Sequence, residues 1–327
     1  MKAVRVHKFG GPDALRVDSD VQKPKIALGD QILVKVHAAG VNPVDTYIRS
    51  GNYSRVPTLP YTVGNDGAGT VEAVGQSAAK FKKGDRVFFS RSVTGSHAEF
   101  CLVTEANAFR LAECCSFAQG AAVGVPYATA YRALFQKARP TYGQTVLVHG
   151  ASGAVGIAAV QLAKGAGLRV LGTAGTQQGM ELVTQQGADH VYNHRQPDYL
   201  KEIERATGGS GVDLVVEMLA NVNLKADLDL LASDGTVVVV GSRGKVEIDP
   251  RALMTGETRV CGVALFHSTN AEMAEIGQAL EFGLQRGQLK PIVARVYSME
   301  ETAEAHKEVM EPSGGGAMGK LVVNVCN

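Results

Sequence analysis

A short apolar strand, Thr145-Val146-Leu147-Val148-His149, runs directly into Gly150, Gly153 and Gly156, which open a helix. A glycine-rich turn between strand and helix lets backbone N–H groups approach a pyrophosphate at the positive end of that helix. The spacing is Gly-x-x-Gly-x-x-Gly, and a lone glycine triplet says little. Its setting inside a strand-turn-helix-strand unit gives it meaning, and points to a bound dinucleotide. The turn lies mid-way along a 327-residue chain, so something large precedes it.

The two halves have different textures. Residues 1 to 121 read mostly as strands. Gln31–His37 alternates apolar and polar residues, the period of a half-buried strand, and Gly69–Val74, Arg86–Phe89 and Ala98–Val103 follow the same logic. One short helix interrupts them, with Asn42 as N-cap, Pro43 at the first helical position and Gly51 at its end. From 122 to 265, strands expected at 145–149, 169–174, 190–192, 212–217, 236–241 and 259–264 alternate with helices, notably 154–166 and 176–186. This repeat implies an α/β fold with a Rossmann-type, doubly wound parallel sheet of six strands, covered on both faces. The tail, 266–327, carries helices near 270–286 and 299–310 and strands near 292–297 and 320–325. It is expected to pack back on the first domain. The domains are therefore 1–121 completed by 266–327, and 122–265.

Composition lends no support to several classes. Lys and Arg total 33 against 32 Asp and Glu, which gives no electrostatic reason to bind nucleic acid or an anionic membrane surface. No apolar run approaches the ~20 residues that span a bilayer. The five cysteines, at 101, 114, 115, 261 and 326, follow no disulfide framework and suit a reducing cytoplasm. The first residues lack the apolar core of a signal peptide.

The choice of dinucleotide is read about 20 residues beyond the turn, where an NAD site presents Asp or Glu to the ribose 2′-OH. Here the sequence is Ala174-Gly175-Thr176. With no carboxylate to repel a 2′-phosphate, NADPH is favoured over NADH. His194 and Arg243 are the cationic candidates for that phosphate, with ordinary surface polarity as the alternative for each.

A strand-rich domain ahead of a mid-chain dinucleotide fold resembles the medium-chain dehydrogenases/reductases, many of which hold catalytic zinc. Zinc calls for Cys, His or carboxylate ligands in tetrahedral array. No Cys-x-x-Cys occurs, and Cys114-Cys115 stands alone. Zinc-dependent relatives have a cysteine near the helix that here begins Asn42-Pro43-Val44-Asp45, and their Gly-His-Glu triplet falls on Gly64-Asn65-Asp66. His37, His97 and His149 are isolated in the sequence and read as structural. No metal is expected. Without a Lewis acid the substrate must already be electrophilic, a quinone or activated enone rather than an unactivated alcohol.

Over nearly its whole length the chain resembles the zeta-crystallins, the zinc-free, NADPH-dependent quinone oxidoreductases of that group. The likeness rests on Gly40–Gly51, Lys83–Phe88, His149–Gly153, Glu217–Leu224 and Val240–Gly244. It implies a GroES-like catalytic domain ahead of the Rossmann domain. It implies that Ser152, Gly153, Ala154 and Val155 line the pyrophosphate, and that Gly175 and His194 flank the 2′-phosphate. Asn223, Val240, Gly241, Ser242 and Arg243 would border the cofactor along strands four and five. Val263, Ala264 and Leu265 would offer backbone groups to the nicotinamide carboxamide, and Tyr47 would reach the cofactor from the first domain. The family pairs two glycines after the serine. Here the second is Ala154, whose methyl is expected to force a local adjustment.

The resemblance further implies one-electron reduction of quinones to semiquinones, which the residues alone do not separate from hydride transfer. The quinone is expected in the cleft between the domains, with Asn42, Tyr47 and Tyr53 donating hydrogen bonds to its oxygens. A helix-capping role for Asn42 and packing roles for the tyrosines are the alternatives. Reduction of enones or alkenals, binding of AU-rich RNA and a structural crystallin role stay open. A homo-oligomer, dimer or tetramer, is implied, with Arg259–Val263 pairing to its twin.

Overall fold

The computed structural model of the chain describes residues 1–326. One unit takes in Met1–Ala128, Ser268–Ser313 and the residues from Gly319 on; the other takes in Thr129–His267 and Gly314–Met318. The division thus falls after Ala128 rather than at 121, and Gly314–Met318 leaves the tail for the second unit. Residues 122–128 stay with the first because they pack on it. Val125 N–H donates to the buried Asp66 carboxylate at 2.8 Å, and Gly124 leaves no room for a Cβ against the Phe89 carbonyl.

The first unit is built on strands β1 (Ala3–Val6), β2 (Leu15–Asp18), β3 (Gln31–Gly40), β4 (Tyr61–Thr62), β5 (Gly67–Val74), β6 (Arg86–Phe89), β7 (Phe100–Thr104) and β8 (Ala108–Arg110). Two tail strands complete its larger sheet: Lys320–Asn324 pairs antiparallel with β3, and Val293–Tyr297 pairs parallel with Lys320–Asn324. Alternation along β3 buries Ile32, Val34 and Val36 against Val71, Val87, Phe89, Cys101 and Val103. Each such side chain contributes about 1.5–3 kcal/mol by leaving water. Helix α1 (Pro43–Arg49) starts at Asn42, whose N–H donates to the Asp45 carboxylate at 2.9 Å. It ends at Gly51, whose φ of +80° is the left-handed conformation that stops a helix. Helices α2 (Phe117–Ala121) and α3 (Gly124–Tyr131) follow.

The second unit holds β9 (Thr145–Val148), α4 (Ala154–Gly165), β10 (Arg169–Ala174), α5 (Gln177–Gln185), β11 (His190–Asn193), α6 (Tyr199–Ala206), β12 (Val212–Glu217), α7 (Ala220–Leu230), β13 (Leu231–Val239), α8 (Arg251–Thr255) and β14 (Arg259–Gly262). The six strands are parallel, in the order β11-β10-β9-β12-β13-β14. The strand order reverses between β9 and β12, and the glycine turn leaves β9 at that point, where open α/β sheets place their ligands. Leu147, Leu171, Val215 and Val237 are fully buried in the middle of the sheet. β13 begins five residues before the expected 236. Its first residues reach the sheet through a register shift, Val212 facing Leu231 but Leu214 facing Thr236, with Asp234 at φ +61° between them. No helix among the described residues is long and apolar enough to cross a membrane.

Candidate active site

Two of the three turn glycines are required by geometry. Gly150 has φ +56°, which L side chains rarely adopt. A Cβ on Gly156 would collide with the Gly150 carbonyl and stand 2.6 Å from Ala151 Cα. At Gly153 a Cβ would find only ordinary contacts, 3.4 Å to Gly150 O and 3.6 Å to Ala317 Cβ. Gly153 serves as N-cap of α4 with no capping side chain, so the first N–H groups of the helix are left for a ligand. The adjustment expected around Ala154 does not appear. α4 starts at that residue and runs unbroken to Gly165, because a first-turn helical position carries a methyl freely.

The end of β10 gathers the adenosine-side candidates. Ala174 faces Asn193, and His194 N–H donates to Ala174 O at 3.2 Å, so the residues after β11 lie beside Gly175. A Cβ on Gly175 would stand 2.9 Å from His194 Nε2 and 3.0 Å from Arg195 Nε. Arg243 is not part of this group. It follows β13, which is separated from β10 by β9 and β12, three strand spacings or roughly 14 Å. Its N–H donates to Asn221 Oδ1 at 2.8 Å.

A cavity of about 450 Å³ opens at the ends of β13 and β14. It brings together Val240, Gly241, Ser242, Val263 and Ala264, all expected cofactor neighbours, and adds Arg132, Lys137 and His267, which sequence reading missed. No local signal marks Arg132 and Lys137, because both lie more than 100 residues before Val239 and Gly262, whereas His267 closely follows β14 and joins the cavity with Val263 and Ala264. Leu265, by contrast, is buried at 8% exposure and does not line the cavity. Asn223 is also differently engaged: its amide nitrogen donates to both Glu217 oxygens at 3.2 Å, which leaves its carbonyl for a ligand.

Beneath the turn, His149 is not isolated. Its Nε2 lies 2.9 Å from Asp227 Oδ1 and 3.8 Å from Glu217 Oε2, and its Nδ1 lies 3.2 Å from Thr173 Oγ1. The Thr173 hydroxyl also accepts from Gly150 N–H at 3.2 Å, so a hydrogen-bonded chain runs from Asp227 to the turn. His149, Glu217 and Asp227 form the group of potential metal ligands found among the described residues, their ligand atoms within 4.8 Å of one another. Burial pushes both carboxyl groups up to about 7 and lowers the His149 pKa. The cluster can therefore satisfy itself with a shared proton.

In the first unit Asn42 is buried and fully engaged. Its Nδ2 donates to Asp66 Oδ1 at 2.7 Å and to Asp45 Oδ2 at 3.3 Å, and its Oδ1 accepts from Lys320 Nζ. Lys320 Nζ also lies 3.6 Å from Asp66 Oδ2. Asn65 donates to Asp45 Oδ1 at 2.6 Å. Burial and the Asp66 charge raise Asp45 to about 6. The amide expected to meet a quinone thus serves the interior and the start of α1. Tyr47, on α1, and Tyr53, after it, are half-buried. Burial raises the Tyr53 pKa, which keeps its phenol protonated and able to donate. His97, held at Gly40 O at 3.2 Å, is lowered to about 4 by burial, and His37 stacks on Phe117; both are structural.

Comparison with known proteins agrees with this arrangement. Residues 29–178 match the alcohol dehydrogenase GroES-like domain, and 154–282 match the model named zinc-binding dehydrogenase. Human quinone oxidoreductase is 51% identical over 323 residues, 99% of this chain and 97% of the human one. The chain belongs to the quinone oxidoreductase family. As a quinone oxidoreductase relative it is an oxidoreductase, with the expected GroES-like domain and six-stranded Rossmann sheet. The Escherichia coli quinone oxidoreductase, solved in complex with NADPH, matches with a TM-score of 0.88 at 30% identity, over 99% of this chain and 100% of that one. A solved NAD-dependent alcohol dehydrogenase matches with a TM-score of 0.90 at 29% identity, over 100% of both chains.

Proposed function

We propose that this chain reduces quinones, ortho-quinones in particular, with NADPH, one electron at a time and without zinc. The observation that carries the cofactor choice is the end of β10, where no carboxylate stands and His194 and Arg195 converge on Gly175. The glycine turn and the bare N-terminus of α4 suit the pyrophosphate. The 450 Å³ cavity at β13 and β14 suits the nicotinamide end. When bound, NADPH supplies the reducing electrons. Tyr47 and Tyr53 are the candidates to line the quinone, their phenols donating to the oxygen on which negative charge develops. Asn42 and Asp45 act indirectly, by fixing the start of the helix that carries Tyr47. Zinc does not suit the residues at the expected ligand positions. Asn42, Asn65 and Asp66 stand there, and the Lys320 ammonium among them repels a second cation.

The test is NADPH oxidation by purified protein with 9,10-phenanthrenequinone, followed by absorbance and by spin resonance. Turnover with an organic radical signal is expected, with NADH a poorer donor. No NADPH-dependent turnover of any quinone sinks the proposal. Faster turnover of an alkenal than of the quinone replaces it with an enone reductase.

A further inference from the structure

Resting on the NADPH reading, the geometry points to Arg195 as the residue that distinguishes a 2′-phosphorylated dinucleotide from its unphosphorylated counterpart. Sequence reading placed this role on His194 and Arg243. The strand order sets Arg243 at the other side of the sheet's centre. Arg195, however, is fixed where the phosphate would lie. Its N–H donates to Asn193 Oδ1 at 3.0 Å, and Asn193 is the β11 residue that faces Ala174. The guanidinium then turns back over Gly175, with Nε 3.0 Å from the position a Cβ would take. A side chain at 175 would push it away, so the glycine and the arginine make one concave surface.

The far side of the guanidinium donates to the Gly315 carbonyl, a neutral acceptor. Gly315 belongs to the short segment Gly314–Met318, which passes the same corner. A Cβ on Gly316 would lie 3.7 Å from Thr176 Cγ2, and Ala317 Cβ lies 3.6 Å from the Cβ position of Gly153. The segment thus holds Arg195 from behind while its Nε side faces Gly175. A guanidinium has five N–H donors in a planar fork, so a phosphate oxygen can be received without releasing Gly315. His194 supplies shape and a hydrogen bond rather than charge, because burial and the Arg195 cation lower its pKa. The permanent positive charge at this corner is that of Arg195.

Calorimetry of the full-length protein with 2′,5′-ADP and with 5′-AMP isolates the contribution of the 2′-phosphate. Arg195→Gln is expected to weaken 2′,5′-ADP about tenfold or more and 5′-AMP less than about threefold. Arg195→Lys, which keeps the charge but loses the fork, is expected to recover part of the preference and serves if the glutamine variant fails to fold. Arg243→Gln is expected to leave the ratio of the two affinities unchanged, because Arg243 follows β13 on the other side of the sheet's centre. A wild-type preference for 2′,5′-ADP that survives in Arg195→Gln overturns the assignment and leaves the NADPH reading standing. Equal weakening of both ligands by Arg195→Gln overturns it too, because the residue then only holds the Gly314–Met318 segment. A wild-type protein with no preference removes the NADPH reading and this assignment with it.

Discussion

Lys320 shows how far a single residue's role can lie from its neighbours in sequence. At 2% exposure its ammonium sits beside Asp66, itself fully buried, and holds Asn42. Burial lowers its pKa, and Asp66 and Asp45 hold it up. Lys320→Met would strand a buried carboxylate, a loss of about 3–5 kcal/mol in unfolding free energy. Urea denaturation measures it, and adding Asp66→Asn should restore a large part. An unchanged midpoint for Lys320→Met would show the pair to be dispensable. The sequence identified Asn42 as a helix start because the cap, proline and closing glycine are local signals. It could not show that the Asn42 amide is used up by Asp66 and Lys320, because Lys320 is 278 residues away. Arg195 is a similar case: its neighbour His194 was picked out, but the turn of its side chain over Gly175 depends on the pairing of β10 with β11.

At the scale of the element, the glycine turn separates into positions that need glycine and one that tolerates a side chain. Gly156→Ala forces a methyl against the backbone of Gly150 and Ala151, so the turn must open and α4 must shift from β9. We expect a loss of about 1–3 kcal/mol from such overpacking. Gly153→Ala meets only van der Waals contacts and should lose at most about 1 kcal/mol, the difference between glycine and alanine as N-cap. Thermal unfolding of the two variants decides it, and equal losses would contradict the geometry. Spacing alone marks the three glycines alike; only the path of the backbone distinguishes them. Strand bounds show the same division. β10 and β12 fall at the expected 169–174 and 212–217 because each is an almost wholly buried run, with only Arg169 and Asp213 partly exposed. The start of β13 differs from the expected 236 because Ser233-Asp234-Gly235 interrupts the apolar pattern, and Leu231 joins the sheet only through a register shift.

Across the whole molecule, buried ionisable groups tie stability to pH. Asp45 is raised to about 6, and Glu217 and Asp227 to about 7, above the ordinary carboxylate range. These three carboxyl groups therefore bind more protons in the native state than in the unfolded chain between roughly pH 4 and 7, and their contribution to stability falls as pH rises through that window. The buried histidines 97, 149 and 306 are lowered, and they act in the opposite sense as pH falls below their ordinary value. Comparing Asp227→Asn with the parent cancels most of that second effect. His149, Glu217 and Tyr199 are the titratable groups that face Asp227. The difference in Tm, variant minus parent, should become more positive from pH 5 to pH 8, by the equivalent of about 1–3 kcal/mol. A difference that does not change with pH would remove Asp227 as a source of the effect.

By itself the sequence determined the α/β class, the six parallel strands, the glycine turn and the missing acid after β10. Each of these is written in a local run of residues, where apolar period, a capping residue or a glycine constrains only near neighbours. The tertiary structure alone decided that Asn42 faces inward, that Arg132, Lys137 and His267 join the cavity, and that Arg195 rather than Arg243 stands over Gly175. Those outcomes depend on strand order and on contacts between distant segments. The burial that fixes them arises only when the sheets close.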